Sequence, residues 1–115
     1  MSTTIESGPA ILIGYEYKLQ IEADNTLFPE GATFAAQIRV RASDSVVLAT
    51  LTTENSGIRR ISDRLVEIVI PADETSMFKV GTIHIDMVRT DITPDLHLGF
   101  SLEITVLMPV TRGLT

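Results

Sequence analysis

Leu65-Val66-Glu67-Ile68-Val69-Ile70-Pro71-Ala72-Asp73-Glu74-Thr75-Ser76-Met77-Phe78-Lys79-Val80-Gly81-Thr82-Ile83-His84-Ile85-Asp86-Met87-Val88-Arg89-Thr90 reads as strand, tight turn, strand. Val66, Ile68 and Ile70 alternate with Leu65, Glu67 and Val69, the period-2 pattern of a chain pressed on a core. Pro71 has no N–H to give a ladder and stops the strand. Over Ala72 to Phe78 the sequence predicts a single helical turn, capped by Asp73 accepting from the N–H of Thr75 or Ser76, with Met77 and Phe78 plugging the end of a core. Gly81 then opens a strand in which Ile83, Ile85 and Met87 face one way and Thr82, His84, Asp86 and Val88 the other.

Working outward from this unit, the rest of the chain has the same character. Ile11 to Ile21 alternates, with Ile11, Ile13, Tyr15, Tyr17, Leu19 and Ile21 on the inward face, and both tyrosines read as buried. A strand of that length spans about 30 Å or more if continuous, so Gly14 is the place for a bulge or a bend from one sheet to another. Thr33 to Arg41 is the next strand, with Phe34, Ala36, Ile38 and Val40 inward. Val46 to Thr53 returns from the polar turn Ala42-Ser43-Asp44-Ser45. Glu54-Asn55-Ser56-Gly57 is a further turn in which Gly57 can take positive φ. Ile58 to Ile61 is a short segment. A last strand or pair of strands runs from Leu96 to Val110, with Phe100, Leu102, Ile104 and Val106 inward. Six or seven strands separated by turn signals describe an all-β sandwich, with one short helical turn near residues 73–78.

The 115 residues make one domain, 10–115, preceded by a polar arm over residues 1–9. Apolar residues are 44% and aromatics 5%, weighted to Ile, Val and Leu, as a β core requires. With 0 cysteines, disulfides, thiolate metal sites and cysteine nucleophiles are excluded. The first residues lack the basic and apolar regions of a signal peptide, and no apolar run approaches the ~20 residues of a membrane helix. The sequence therefore predicts a soluble, unexported protein with no membrane partner. Its net charge of −6 argues against a nucleic-acid partner, whose affinity would come from a basic surface.

Charge is unevenly placed. Residues 39–64 carry Arg39, Arg41, Arg59, Arg60 and Arg64, and acids outnumber bases on either side of that segment. Two readings follow. Exposed cross-strand pairs, for example of Arg39 or Arg41 with Glu67, are the commoner use of such residues. The sharper reading makes all five one wall that docks on the acidic surface of another subunit, and these are the candidate protein-interaction residues. His84 and Asp86 share a strand face, but two ligands do not make a metal site, and His97 lies apart in sequence. Asp91, Thr93 and Asp95 read as a solvated turn, since Pro94 interrupts them and no calcium-loop pattern follows. No phosphate-cradling glycine loop and no nucleophile elbow are present. No cofactor and no catalytic residue are nominated.

Gly57-Ile58, the strand Leu65 to Ile70, Ala72-Asp73-Glu74-Thr75, Phe78, Gly81 leading into a strand with Asp86, Gly99-Phe100 and the late Val110-Thr111-Arg112 together resemble a known pattern. It is that of the small immunoglobulin-like β-sandwich domains of tailed-phage and prophage virion proteins, such as the N-terminal domain of baseplate upper proteins. The match runs from about Thr33 onward. Ile83 and Ile85 stand where that family usually has an aromatic, and Asp63 where it often has Gly. The resemblance implies an antiparallel sandwich of about seven strands with immunoglobulin-like topology. It further implies a non-enzymatic structural component of the virion, assembled in the host cytoplasm, with other virion proteins and further copies of itself as partners. A small-ligand or glycan-binding sandwich is the alternative.

Overall fold

The computed structural model describes residues 5–7 and 9–114, and for Ile5–Ser7 only the backbone. Among the described residues there are nine strands: β1 Ile5–Ser7, β2 Ile11–Leu12, β3 Tyr17–Glu22, β4 Phe34–Arg39, β5 Ala49–Thr52, β6 Ile58–Ser62, β7 Leu65–Ile70, β8 Gly81–Arg89 and β9 Leu96–Leu107. A single helical turn, α1 (Ala72–Thr75), joins β7 to β8. The fold is an all-β sandwich. One sheet has the order β1-β9-β8-β4-β5, with β2 also on β9; the other is β3-β7-β6. All pairings are antiparallel except those of β1 and β2 with β9. A three-stranded sheet whose centre is β7, facing a larger sheet whose centre is β8, is the immunoglobulin-like arrangement.

The alternation read in the sequence sets the core. Val66, Ile68 and Ile70 of β7 are fully buried against Ile83, Ile85 and Met87 of β8 and Leu102, Ile104 and Val106 of β9. Phe34, Ala36 and Ile38 of β4 complete the layer, and Phe28 meets Phe34 edge to face at 5.6 Å. Each fully buried Ile, Leu or Phe contributes about 1.5–3 kcal/mol by leaving water. The long last strand is continuous from Leu96, but its pairing shifts between Asp86 and Val88, where Gly99 takes φ 83°. The additional residues bulge out opposite β8, and Leu98 and Leu102 both reach the core.

The Ile11–Ile21 segment switches sheets at Gly14, whose φ is 88°. β2 pairs with β9 in the larger sheet and β3 with β7 in the smaller one. The bend turns Tyr15 out to 41% exposure, so the expected burial holds for Tyr17 only. Val40 and Val46 are also exposed: β4 ends at Arg39, and the Val46–Thr53 strand shrinks to Ala49–Thr52. The turn around Asp44 takes up the residues between, with Asp44 Oδ2 accepting from the N–H of Arg41.

Four further expectations are corrected. Ser56, not Gly57, takes the positive φ, at 65°. Gly57 is required for a different reason, because it packs directly on Leu51. Asp73 does not cap α1: Pro71 is the cap residue, its carbonyl accepts from the N–H of Glu74 and Thr75, and no side chain caps the turn. Met77 does not plug the core but is 78% exposed, whereas Phe78 is buried as expected. Finally, Ile5–Ser7, read as part of a polar arm, runs as a strand alongside Ser101–Glu103 of β9. The rest of that expectation, for residues 1–4 and Gly8, lies outside the described residues.

Candidate interaction surfaces

The five arginines divide between the two sheets. Arg39 ends β4 and Arg41 follows it, on the larger sheet; Arg59 and Arg60 lie on β6 and Arg64 in the β6–β7 turn, on the smaller one. The two groups also sit toward opposite ends of the sandwich. The β6–β7 turn bonds the β3–β4 loop, where Phe28 N–H donates to Asp63 O and Ala23 N–H to Arg64 O, and that loop leads into the start of β4, not its end. One continuous arginine wall is therefore not formed.

Three of the five guanidinium groups are engaged within the chain. Arg39 donates to Asp44 O and to Gln37 Oε1, both at 2.7 Å. Arg59 pairs across the strands with Glu67 at 3.1 Å, the partner expected for Arg39 or Arg41. Those two could not reach it, because Glu67 belongs to the other sheet. Arg60 donates to Phe28 O at 2.8 Å and pairs with Asp63, clamping the β3–β4 loop on the end of the smaller sheet. Arg41 and Arg64 are exposed and make no ion pair among the described residues.

The outer face of the larger sheet carries both histidines, which do not share a partner. Gly99 N–H donates to His97 Nδ1 at 2.9 Å, so the ring proton of the neutral imidazole sits on Nε2 and donates to Asp86 Oδ2 at 2.8 Å. Both nitrogens are thus committed to holding the bulge at Gly99, and neither can serve a nucleophile such as the neighbouring Ser101. His84 Nδ1 donates to Val40 O at 2.8 Å, and its Nε2 lies 3.7 Å from Glu103 Oε2. No group of three His, Cys, Asp or Glu able to hold a metal occurs among the described residues. In the loop before β9, both Asp91 oxygens are bonded by Arg89 at 2.9 Å, and Oδ1 also accepts from Thr33 N–H. Those bonds to Arg89 above all hold the Asp91 carboxyl well below its ordinary range, at about 2.

Two features are not predicted from the sequence pattern. One is an apolar rim. Leu12 and Leu107 are direct partners at the end of the β2–β9 ladder, and Val80 precedes Gly81, which partners Val106. All three are exposed, as are Met77, Met108 and Val110, the last at 96%. Tyr15 donates to Thr111 O at 2.6 Å and Arg112 to Pro109 O at 2.7 Å, drawing the C-terminal segment across this end. The only available signal was local: alternation fails at Leu12 and again over Leu107-Met108. The other feature is Thr75, fully buried, whose hydroxyl donates to Tyr15 O at 2.8 Å and accepts from Gly14 N–H at 3.2 Å. It pins α1 to the bend where the chain changes sheets. Tyr15, though exposed, does not line the cleft between β5 and α1, and none of the residues that do line it is aromatic.

No family model matches the chain, and no curated protein matches it. Among solved structures, it is similar at 14% identity to a chain from one described as the structural basis of T cell specificity and activation by the bacterial superantigen toxic shock syndrome toxin-1. The likeness covers 93% of this chain and 94% of that one, with a TM-score of 0.45. The immunoglobulin-like assignment rests on strand order and register, not on that likeness.

Proposed function

We propose that the protein is a non-enzymatic assembly module, a structural component of a tailed-phage or prophage virion that acts through contacts between subunits. The observation that carries the assembly role is the apolar rim at one end of the sandwich, where Leu12, Val80, Leu107 and Met108 are exposed together beside the C-terminal segment. Contiguous exposed apolar surface on a small β domain is the mark of a surface built to be covered. The virion setting is supported by the sequence resemblance from about Thr33 onward. The Ala72-Asp73-Glu74-Thr75 element has a structural reason in this fold, because Thr75 fastens the helical turn to the sheet switch. The engaged nitrogens of His97 favour a framework role for the one His–carboxylate hydrogen bond.

The chain is expected to form a homo-oligomer through the rim, with Arg41 and Arg64 left for other virion proteins. Light scattering on the purified protein tests this. The expected result is a mass that is a multiple of 12.6 kDa, retained at high salt because the contact is apolar, and reduced by Leu12→Asp or Val80→Asp. A monomer at all concentrations and salt conditions would overturn self-assembly. An oligomer dissolved by salt and untouched by those two substitutions would move the contact away from the rim.

A further inference from the structure

A cleft of about 270 Å³ opens between β5, the β5–β6 turn and α1. Leu51, Val69 and Pro71 give it an apolar wall, and Asn55, Ser56 and Glu74 its polar groups. Asn55 is already satisfied: Oδ1 accepts from the N–H of Thr52 and of Gly57, both at 2.9 Å, and Nδ2 donates to Thr50 O at 3.0 Å. Glu74 is not. Its Oε2 is buried and has no donor among the described residues, and no basic side chain lines the cleft. A carboxylate oxygen removed from water without a donor is costly, and a cation or a strong donor relieves that cost.

We propose that this cleft binds an alkylammonium or alkylguanidinium group, with the cation on Glu74 and its aliphatic stem against Leu51, Val69 and Pro71. This is the chemistry of a free amine and equally of a lysine or arginine side chain from a neighbouring subunit. The apolar wall suits a stem of a few methylenes, which a basic side chain carries and a bare ammonium ion lacks. Loss of water around Glu74, and secondarily the charge of Asp73, raise its carboxyl above the ordinary range. The inference goes beyond the assembly reading and stands or falls separately from it.

The test is an amide NMR titration of the full chain with n-butylammonium and n-butylguanidinium, with n-butanol and ammonium chloride as controls. Saturable shifts at Leu51, Gly57, Val69 and Glu74 are expected, with a Kd of the order of millimolar, as for so small a ligand. Glu74→Gln should weaken binding about tenfold or more, while Asp73→Asn should leave it in place. The unsubstituted protein gives an independent check, since acidification that protonates Glu74 should release the cation. Equal shifts with n-butanol, no shifts in the cleft, or undiminished binding to E74Q would each overturn the proposal. Light scattering separates the sources. If E74Q or added butylammonium lowers the oligomer mass, a second copy supplies the cation; if the mass is unchanged while butylammonium binds, the site takes its cation from elsewhere.

Discussion

Gly57→Ala tests most directly how this sandwich closes. A Cβ built at Gly57 would stand 2.8 Å from Leu51 Cβ, 2.8 Å from Asn55 Oδ1 and 3.0 Å from Leu51 Cα. None of these atoms can move cheaply. Leu51 is paired with Ala36 in β5 and is 1% exposed, and Asn55 Oδ1 holds the N–H groups of Thr52 and Gly57. Overpacking of this kind costs about 1–3 kcal/mol. Displacing the Asn55 amide costs about 1 kcal/mol more. A loss of about 2–4 kcal/mol is expected, and at about 4 °C per kcal/mol for a domain of this size Tm should fall by about 8–16 °C. Urea unfolding followed by circular dichroism should show a lower midpoint with an unchanged slope. Two controls separate this cause from backbone strain. Ser56→Gly, at the position that does hold φ 65°, should raise stability by about 0.5 kcal/mol, the strain relieved less the added unfolded-chain entropy. In a Leu51→Ala background the Gly57→Ala cost should persist, because the clash is with Cα and Cβ, which alanine retains. A Gly57→Ala loss below about 0.5 kcal/mol would refute the packing account.

Thr75→Val, which keeps the shape and removes the hydroxyl, should cost about 1–3 kcal/mol in urea unfolding by stranding Tyr15 O and Gly14 N–H, whereas Thr75→Ser should cost less. Tyr17→Phe should cost about 1 kcal/mol, since it loses the bond to Pro9 O, and it should abolish a titration that burial has pushed up to about 12. Because that pKa is raised in the folded state, the associated stability is present below the ordinary tyrosine value of 10.0 and is lost as pH rises toward about 12. Asp91 behaves in the opposite sense. Its depressed pKa means that its stabilisation is complete above 3.8 and is lost as pH falls toward about 2, a dependence that should disappear in Asp91→Asn when acid unfolding is followed by circular dichroism.

What the sequence made legible is what period 2 can encode. Val66, Ile68 and Ile70, and Ile83, Ile85 and Met87, are buried in the alternation that predicts them, because each strand presses one face on the core. The same rule misplaces Tyr15 and Val40. At Gly14 the chain changes sheets, and at Arg39 the strand gives way to a turn, so parity no longer reports the direction of a side chain. Gly57 was legible as special but not why: composition marks a turn glycine, whereas the need for close approach to Leu51 is set by a strand outside the turn. The candidate interaction surfaces were the least legible. Five arginines clustered over residues 39–64 look like one wall in one dimension, but the two sheets receive them separately. Glu67 then pairs with the arginine that register places opposite it, Arg59.

The two ends of the sandwich are therefore unlike. At one, the β3–β4 loop, the β6–β7 turn and the segment after β8 satisfy one another, through Arg60 on Phe28 O, Phe28 on Asp63 O and Asp91 on Thr33 N–H. Polar backbone there finds its partners within the chain. At the other, Thr75 and Tyr15 spend their hydroxyl groups fastening the helical turn and the C-terminal segment to the sheet switch. That leaves Leu12, Val80, Leu107 and Met108 outward with nothing among the described residues to cover them. Their exposure costs solubility and gains the fold no stability, which is why the proposed assembly contact is placed at this end. Charge then has a secondary part. With Arg39, Arg59 and Arg60 committed within the chain, the proposed assembly would use ionic attraction through Arg41 and Arg64 to orient neighbours and the apolar rim to supply the affinity.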